Sequence, residues 1–248
     1  MRLHEHLSTS GEVLFRWRGV ALLVFVPFLY MATLNGEQIE HVLGEPLGDA
    51  YEMASLGLVV LGQLIRILTV GFVPANTSGR NTSGQLADAL NTTGVYSLVR
   101  NPLYLGNCVM YLGVALFSQS VLVALVLALV LLPYYERIIA AEEKFLSAKF
   151  GTAYEDWAAR TPAFVPRFSG WVPLEVPFSW RTVLAREQAS VFFAIVALYL
   201  LETGLHHATG EPEPMEAGWH WLLAATVALK LAGSLHKRRR KYLAAKGR

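Results

Sequence analysis

Apolar residues along the 248-residue chain gather into six long runs separated by polar segments. The runs cover about residues 19–34, 54–73, 102–117, 121–140, 189–205 and 219–235. Crossing a hydrocarbon layer takes an α-helix of roughly 17–25 apolar residues, so the pattern predicts six membrane helices. The third and fourth runs are separated only by Ser118, Gln119 and Ser120, which predicts a tight antiparallel hairpin. The third run is short for a full span. The fourth continues as a polar helix to Phe150, where Gly151 is the predicted stop. Thr152 and Glu155 have the spacing of a capping box. They predict a short helix over residues 153–160, whose Tyr154 and Trp157 suit the membrane interface. Pro162, Pro166, Pro173 and Pro177 then predict an extended path to the fifth run.

Composition agrees with a membrane protein. Hydrophobic residues make up 54% and charged residues 16%, and the mean hydropathy is +0.39. These values exclude a disordered chain and leave too much apolar surface for a soluble domain. One cysteine, Cys108, excludes a disulfide scaffold. The net charge of +2 leaves no nucleic-acid footprint, but its distribution is informative. All but Arg66 and Lys230 of the 21 Lys and Arg lie in the tails or in segments 74–101 and 137–188. The loops at 35–50 and 203–218 have none and carry Glu37, Glu40, Glu45, Asp49, Glu211, Glu213 and Glu216. By the positive-inside rule both termini are cytoplasmic. The basic run 236–241 reads as a topology anchor, and Arg66 and Lys230 as snorkelling side chains. The sequons at Asn76, Asn81 and Asn91 fall on the cytoplasmic side and read as turn chemistry. The organisation expected is all-α and polytopic: an N-terminal helix pair over 1–73, a core over 74–168, and a C-terminal helix pair with a basic tail over 169–248.

Two clusters carry candidate chemistry. The first is Gly94–Gly106. Gly94 permits a turn or a close approach. Asn101 and Pro102 fit the N-cap and first position of a helix, whose free N–H groups favour an anion. Arg100 beside it can fork a carboxylate or phosphate. Tyr104 is one turn into the helix, and Gly106 lets another element come close. The long segment before it, 74–101, contains Arg80 and a predicted helical turn over 85–90. The second cluster is Glu136, Glu142 and Glu143, at the cytoplasmic end of the fourth helix. The hairpin brings both clusters to one end, so a zwitterion with an amino-acid end can be clamped between Arg100 and Glu142 or Glu143. His4, His6 and His41 have no metal-like partners at useful spacing, and no metal is expected. His206, His207, Glu202 and His220 read as an outer polar cluster.

The order Gly94-x-Tyr96…Arg100-Asn101-Pro102-x-Tyr104-x-Gly106, then Glu142-Glu143-x-x-Leu146…Phe150-Gly151-x-x-Tyr154…Pro166, resembles the isoprenylcysteine carboxyl methyltransferase and phospholipid methyltransferase superfamily. Many members have His where this chain has Asn101. The resemblance covers about residues 75–168. It implies an integral membrane methyltransferase using S-adenosylmethionine, with Gly94, Tyr96, Arg100, Asn101, Pro102, Tyr104, Gly106, Glu142 and Glu143 around the cofactor. Arg100 and Glu143 are the candidate catalytic residues, Glu143 as a base if the acceptor is an amine. Tyr96, Tyr104 or Tyr134 can add cation–π attraction to the sulfonium. The expected acceptor is a lipid headgroup, a prenylcysteine carboxylate or another amphiphile. Two other readings remain open: an NADPH-dependent membrane sterol-type reductase, with Arg80 serving the cofactor's extra phosphate, and a non-enzymatic membrane protein.

Overall fold

The computed structural model describes residues 3–19, 21–36, 38–74, 87–210 and 214–245. Among these, the ordered elements are helices and no strand occurs. They are α1 (Leu3–Trp17), α2 (Val26–Thr33), α3 (Gln38–Leu43), α4 (Glu45–Gly71), α5 (Val95–Leu98), α6 (Pro102–Phe117), α7 (Val121–Phe150), α8 (Thr152–Arg160), α9 (Trp180–Thr209) and α10 (Ala217–Ala245). Arg2, the sequons at Asn76 and Asn81, Arg80 with its assigned phosphate role, Glu211, Glu213 and residues 246–248 lie outside the described residues, as do the side chains of the basic run 236–241. Of the predicted turn over 85–90, residues 87–90 are described and are not helical.

Among the described residues, α4, α7 and α9 are long and apolar enough to cross a membrane. They coincide with the second, fourth and fifth apolar runs. The third run forms the shorter α6. The first run is not one helix: a 3-10 turn over Ala21–Phe25 leads into α2, with Pro27 in its first turn. The sixth run lies in α10. Exposed leucines such as Leu122, Leu129 and Leu132 on α7 and Leu61, Leu64 and Leu68 on α4 give these helices an apolar outer face. Helices satisfy their own backbone, which lets such faces meet lipid. The chain is a membrane protein.

The hairpin forms where the sequence places it. Ser118 Oγ donates to the Ala115 carbonyl at 2.7 Å. Gln119 takes a left-handed φ of 61°, and Ser120 caps α7 by accepting from Val123 N at 3.4 Å. Helix α4 packs most extensively on α6, because small residues meet at the crossing. A Cβ on Gly62 would lie 2.5 Å from the Gly106 carbonyl oxygen, and one on Gly113 would lie 2.7 Å from the Ser55 carbonyl oxygen. The predicted N-terminal tail is instead helix α1, laid along α7. Gly11 makes that approach possible, since a side chain there would overlap the Arg137 backbone carbonyl.

Two local expectations are corrected. Gly151, at φ 55°, ends α7 and directly opens α8, so Thr152 is already helical and no side-chain cap bond forms. Glu155 accepts instead from Ser147 Oγ at 3.1 Å. Helix α8 does not lie along the interface with its aromatics outward. Tyr154 and Trp157 are only 5% and 7% exposed, and they pack inward with ring centroids 5.7 Å apart.

Candidate functional site

One cavity of about 720 Å³ runs from the starts of α5 and α6 into the helix bundle. That is the size of a small-molecule site. Its polar end is built from the two clusters read in the sequence. Tyr96, Arg100, Asn101, Pro102, Tyr104 and Glu142 all line it. Gly94, Gly106 and Glu143 do not. Gly94, at φ 58°, donates its N–H to the Val172 carbonyl at 3.0 Å, and a Cβ there would collide with Leu174. Gly106 lies under α4, where a Cβ would be 2.8 Å from Arg66 Cγ. Glu136 is exposed.

The geometry of Arg100 differs from an open clamp. Its Nη2 lies 2.8 Å from Glu143 Oε1. Its Nη1 donates to the carbonyls of Ala158 at 2.7 Å and Thr161 at 3.2 Å. Its backbone N–H donates to the Pro162 carbonyl at 2.9 Å. Asn101 occupies the N-cap position without capping, because its Nδ2 donates to the Ala163 carbonyl at 3.0 Å. Both side chains therefore bind the segment after α8 to the start of α6. The cap expected of Asn101 gives way to this longer-range bond.

Glu142 is the acid that faces the cavity. Its Oε1 accepts from Tyr104 Oη at 2.9 Å. The Tyr104 ring leans on Tyr135, with centroids 5.0 Å apart. Tyr135 also lines the cavity, whereas Tyr134 does not. Tyr96 is partly buried, and its phenol pKa is pushed up, first by burial and then by the Glu142 charge, with Arg186 and Arg66 opposing. The phenol therefore stays protonated. Two buried donors at this end, Arg100 Nε and Trp157 Nε1, have no hydrogen-bond partner among the described residues. Unpaired buried donors are costly unless a group outside the described residues accepts from them.

The sequence reading missed four contributors. Arg18 and Phe15 close the polar end from α1 and the residues after it; the Arg18 guanidinium stacks 3.6 Å above the Phe15 ring. Trp157 was assigned to the interface. Tyr135 sits seven residues before Glu142, two helical turns away on the same face, and that spacing was the available signal. The opposite end of the cavity is apolar, lined by Phe25, Val26 and Leu29 and by Phe193, Ala194 and Ala197. Arg66 and Asn107 stand where the two ends meet. Arg66 does not snorkel: it is paired with Glu187 at 2.8 Å. Lys230 reaches the Phe192 and Phe193 rings, 5.8 Å and 5.9 Å from their centroids. His220 Nδ1 lies 3.0 Å from Tyr199 Oη. No group of three or more potential metal ligands occurs among the described residues.

Comparison with known proteins places this cavity in context. Residues 51–153 match the family described as phospholipid methyltransferase. The chain is 40% identical over 110 residues to the nickel-cobalt-cadmium resistance protein NccN of Alcaligenes xylosoxydans xylosoxydans, covering 42% of this chain and 51% of that protein. It is 38% identical over 153 residues to the cobalt-zinc-cadmium resistance protein CzcN of Cupriavidus metallidurans, covering 62% and 63%. It is 30% identical over 119 residues to the protein-S-isoprenylcysteine O-methyltransferase of Schizosaccharomyces pombe, covering 48% and 50%. The matched part thus spans about half to under two thirds of these relatives' own length. No solved structure matches the chain significantly. The matches support the resemblance to the isoprenylcysteine carboxyl methyltransferase and phospholipid methyltransferase superfamily.

Proposed function

We propose, taking the match of residues 51–153 as premise, that this chain is an integral membrane methyltransferase acting from S-adenosylmethionine on an amphiphilic acceptor. The observation that carries the reading is one cavity with two characters. It has an acid, three tyrosines and two unpartnered buried donors at one end, and an apolar slot at the other.

The residues present fit the cofactor. Glu142 suits its ammonium, and the rings of Tyr96, Tyr104 and Tyr135 suit a sulfonium. Arg100 Nε and Trp157 Nε1 suit its oxygen or nitrogen acceptors. When bound, S-adenosylmethionine supplies a methyl group already made electrophilic by its positive sulfur. The chain's task is then alignment and exclusion of water. Positioning of this kind contributes up to ~7–11 kcal/mol. The Arg100–Glu143 pair fixes the start of α6 against α7 and α8, so both residues act by positioning. Gly94 and Gly106 act by allowing close packing behind the site. A carboxylate or thiolate acceptor needs no base. For an amine, Glu142 is the acid on the cavity wall, and it replaces Glu143 in that role.

The charge asymmetry supports a polar end that opens to the cytoplasm, with both termini on that side. It supports six membrane segments, three of them full-length helices. We read residues 74–168 as the methyltransferase core and the flanking helix pairs as walls of the acceptor slot. A lipid headgroup or a prenylcysteine carboxylate suits that slot; the name of the Schizosaccharomyces pombe relative favours the latter.

The test is thermal stabilisation of the detergent-purified protein by S-adenosylhomocysteine, with NADPH alongside. A ligand at 100 times its Kd adds about 2.7 kcal/mol. A shift with S-adenosylhomocysteine alone is the expected result. A shift with NADPH alone would make the protein a reductase.

A further inference from the structure

The cavity has a second polar patch, which the donor end does not use. The Arg66 side chain leaves α4 and crosses α6 over Gly106, where the missing Cβ makes room. Its guanidinium is then gripped on two edges. Nε donates to Glu187 Oε2 at 2.8 Å, Nη2 to Glu187 Oε1 at 3.0 Å, and Nη1 to Asn107 Oδ1 at 2.5 Å. Gln63 steadies the carboxylate through Nε2 at 3.2 Å and accepts from Ser190 Oγ at 2.9 Å. The Arg66 and Glu187 side chains are 13% and 4% exposed. Three of the five guanidinium N–H groups are spent in this way among the described residues.

Stability does not account for such a cluster. A buried ion pair roughly breaks even against apolar side chains of the same volume. Ionisable residues between membrane helices mark function by default. A clip between α4 and α9 would have no reason to open onto the cavity. Here Arg66, Asn107 and Ser190 all stand on its wall, and Phe193, Ala194 and Ala197 continue from them along α9 into the apolar slot.

We propose that Arg66 is the headgroup subsite: it holds the anionic group, carboxylate or phosphate, of an acceptor whose chain fills the slot. This rests on reading the cavity as a methyltransferase site and names the acceptor chemistry within it. A planar guanidinium matches the oxygens of either anion. Glu187, which lies outside the matched residues 51–153, is the positioning residue that sets the plane of that guanidinium.

The experiment titrates detergent-purified protein with oleate and with dodecyl phosphate, oleyl alcohol being the uncharged control, and reads the thermal shift. In the wild type, at least one anion acts at about tenfold lower concentration than the alcohol, and the stronger anion identifies the source. The Arg66→Met/Glu187→Leu double variant removes both charges while keeping volume, and such replacements fold. It should titrate equally with anion and alcohol yet keep the wild-type shift with S-adenosylhomocysteine. Glu187→Gln should weaken anion binding several-fold, and Glu187→Asp should recover part of it. An unchanged anion preference in the double variant overturns the proposal and leaves a helix clip. Equal titration by anion and alcohol in the wild type overturns it too. Absence of the S-adenosylhomocysteine shift in the wild type overturns the methyltransferase reading instead, while the anion–alcohol comparison still tests the subsite.

Discussion

Arg100 and Glu143 form an ion pair, Nη2 to Oε1 at 2.8 Å. The contact joins the segment just before α6 to the polar C-terminal part of α7. Through Nη1 it also holds the end of α8. An open clamp around a ligand would need the two apart. The pair is therefore a brace, and the ligand-facing acid is its neighbour Glu142.

Arg100→Ala should thus act on the fold of the site as well as on transfer. It leaves Glu143 without its cation and frees two backbone carbonyls. Hydrogen bonds to charged groups contribute about 1.5–3 kcal/mol, reduced here because both side chains keep some exposure. A fall of ~1–2 kcal/mol in unfolding free energy, with loss of methyl transfer, is expected from thermal melts and activity together. Arg100→Lys should also fail, because an ammonium cannot serve both directions. Wild-type melting and turnover in both variants would contradict the brace.

Glu142→Gln keeps the shape of the wall and removes its charge. Binding of S-adenosylhomocysteine should weaken by about tenfold or more, which is ~1.4 kcal/mol. Tyr104→Phe removes only the hydroxyl that donates to Glu142 and should cost less. Calorimetric titration of the two variants orders them; a larger loss in Tyr104→Phe would reverse the assignment.

Trp157→Phe retains a ring but deletes the unpartnered N–H. S-adenosylhomocysteine should bind several-fold more weakly, with little change in melting temperature without ligand. Wild-type indole fluorescence should change on binding, and the change should shrink in the variant. Unaltered affinity would mean that the N–H meets no ligand atom.

The α4–α6 crossing separates glycines that look alike in sequence. Gly62→Ala would press a methyl group against backbone atoms of α6 at 2.5 Å, at a cost of ~1–3 kcal/mol. Gly57, one turn away on the exposed face, has nothing within 4 Å of a Cβ. Gly57→Ala should be neutral or stabilising by up to ~1 kcal/mol. The melting curve of Gly62→Ala should fall, and that of Gly57→Ala should stay or rise.

Alkaline pH should loosen the brace. The buried Tyr154 phenol has its pKa raised above the usual 10.0, by burial first and then by the Glu143 charge, with Arg100 opposing. The folded state therefore favours the neutral phenol. Its contribution is complete below the unfolded value near 10 and is lost as pH climbs from there toward the folded pKa. Tyr154→Phe should flatten that part of the stability–pH curve above pH 10. An identical curve in the variant would assign the alkaline loss to another group.

The hairpin was legible because apolar runs, a three-residue gap and serine caps all act within a few residues. The same holds for Gly151 and for the position of Pro102. The face that α8 presents was not legible. Tyr154 and Trp157 are amphipathic side chains that suit an interface or an interior equally, and only packing against α7 decides. Asn101 failed as a cap for a related reason: a carbonyl 62 residues away outcompeted the local N–H. Arg66 read alone as a charge near a helix end, and its partner Glu187 lies 121 residues away. Their pairing depends on the α4–α6–α9 crossing, which no local pattern encodes.

The two ends of the cavity are completed at different points along the chain. The polar end is finished once residue 172 is in place, since Gly94 donates to the Val172 carbonyl and Val172 N donates to Ser97 Oγ. The slot still lacks the wall from Phe193, Ala194 and Ala197. During synthesis from the N-terminus, the nascent protein therefore presents a formed polar chamber beside an open apolar trench. Bilayer lipid must line that trench until α9 arrives. Docking of α9 is thus an exchange of solvating lipid for protein.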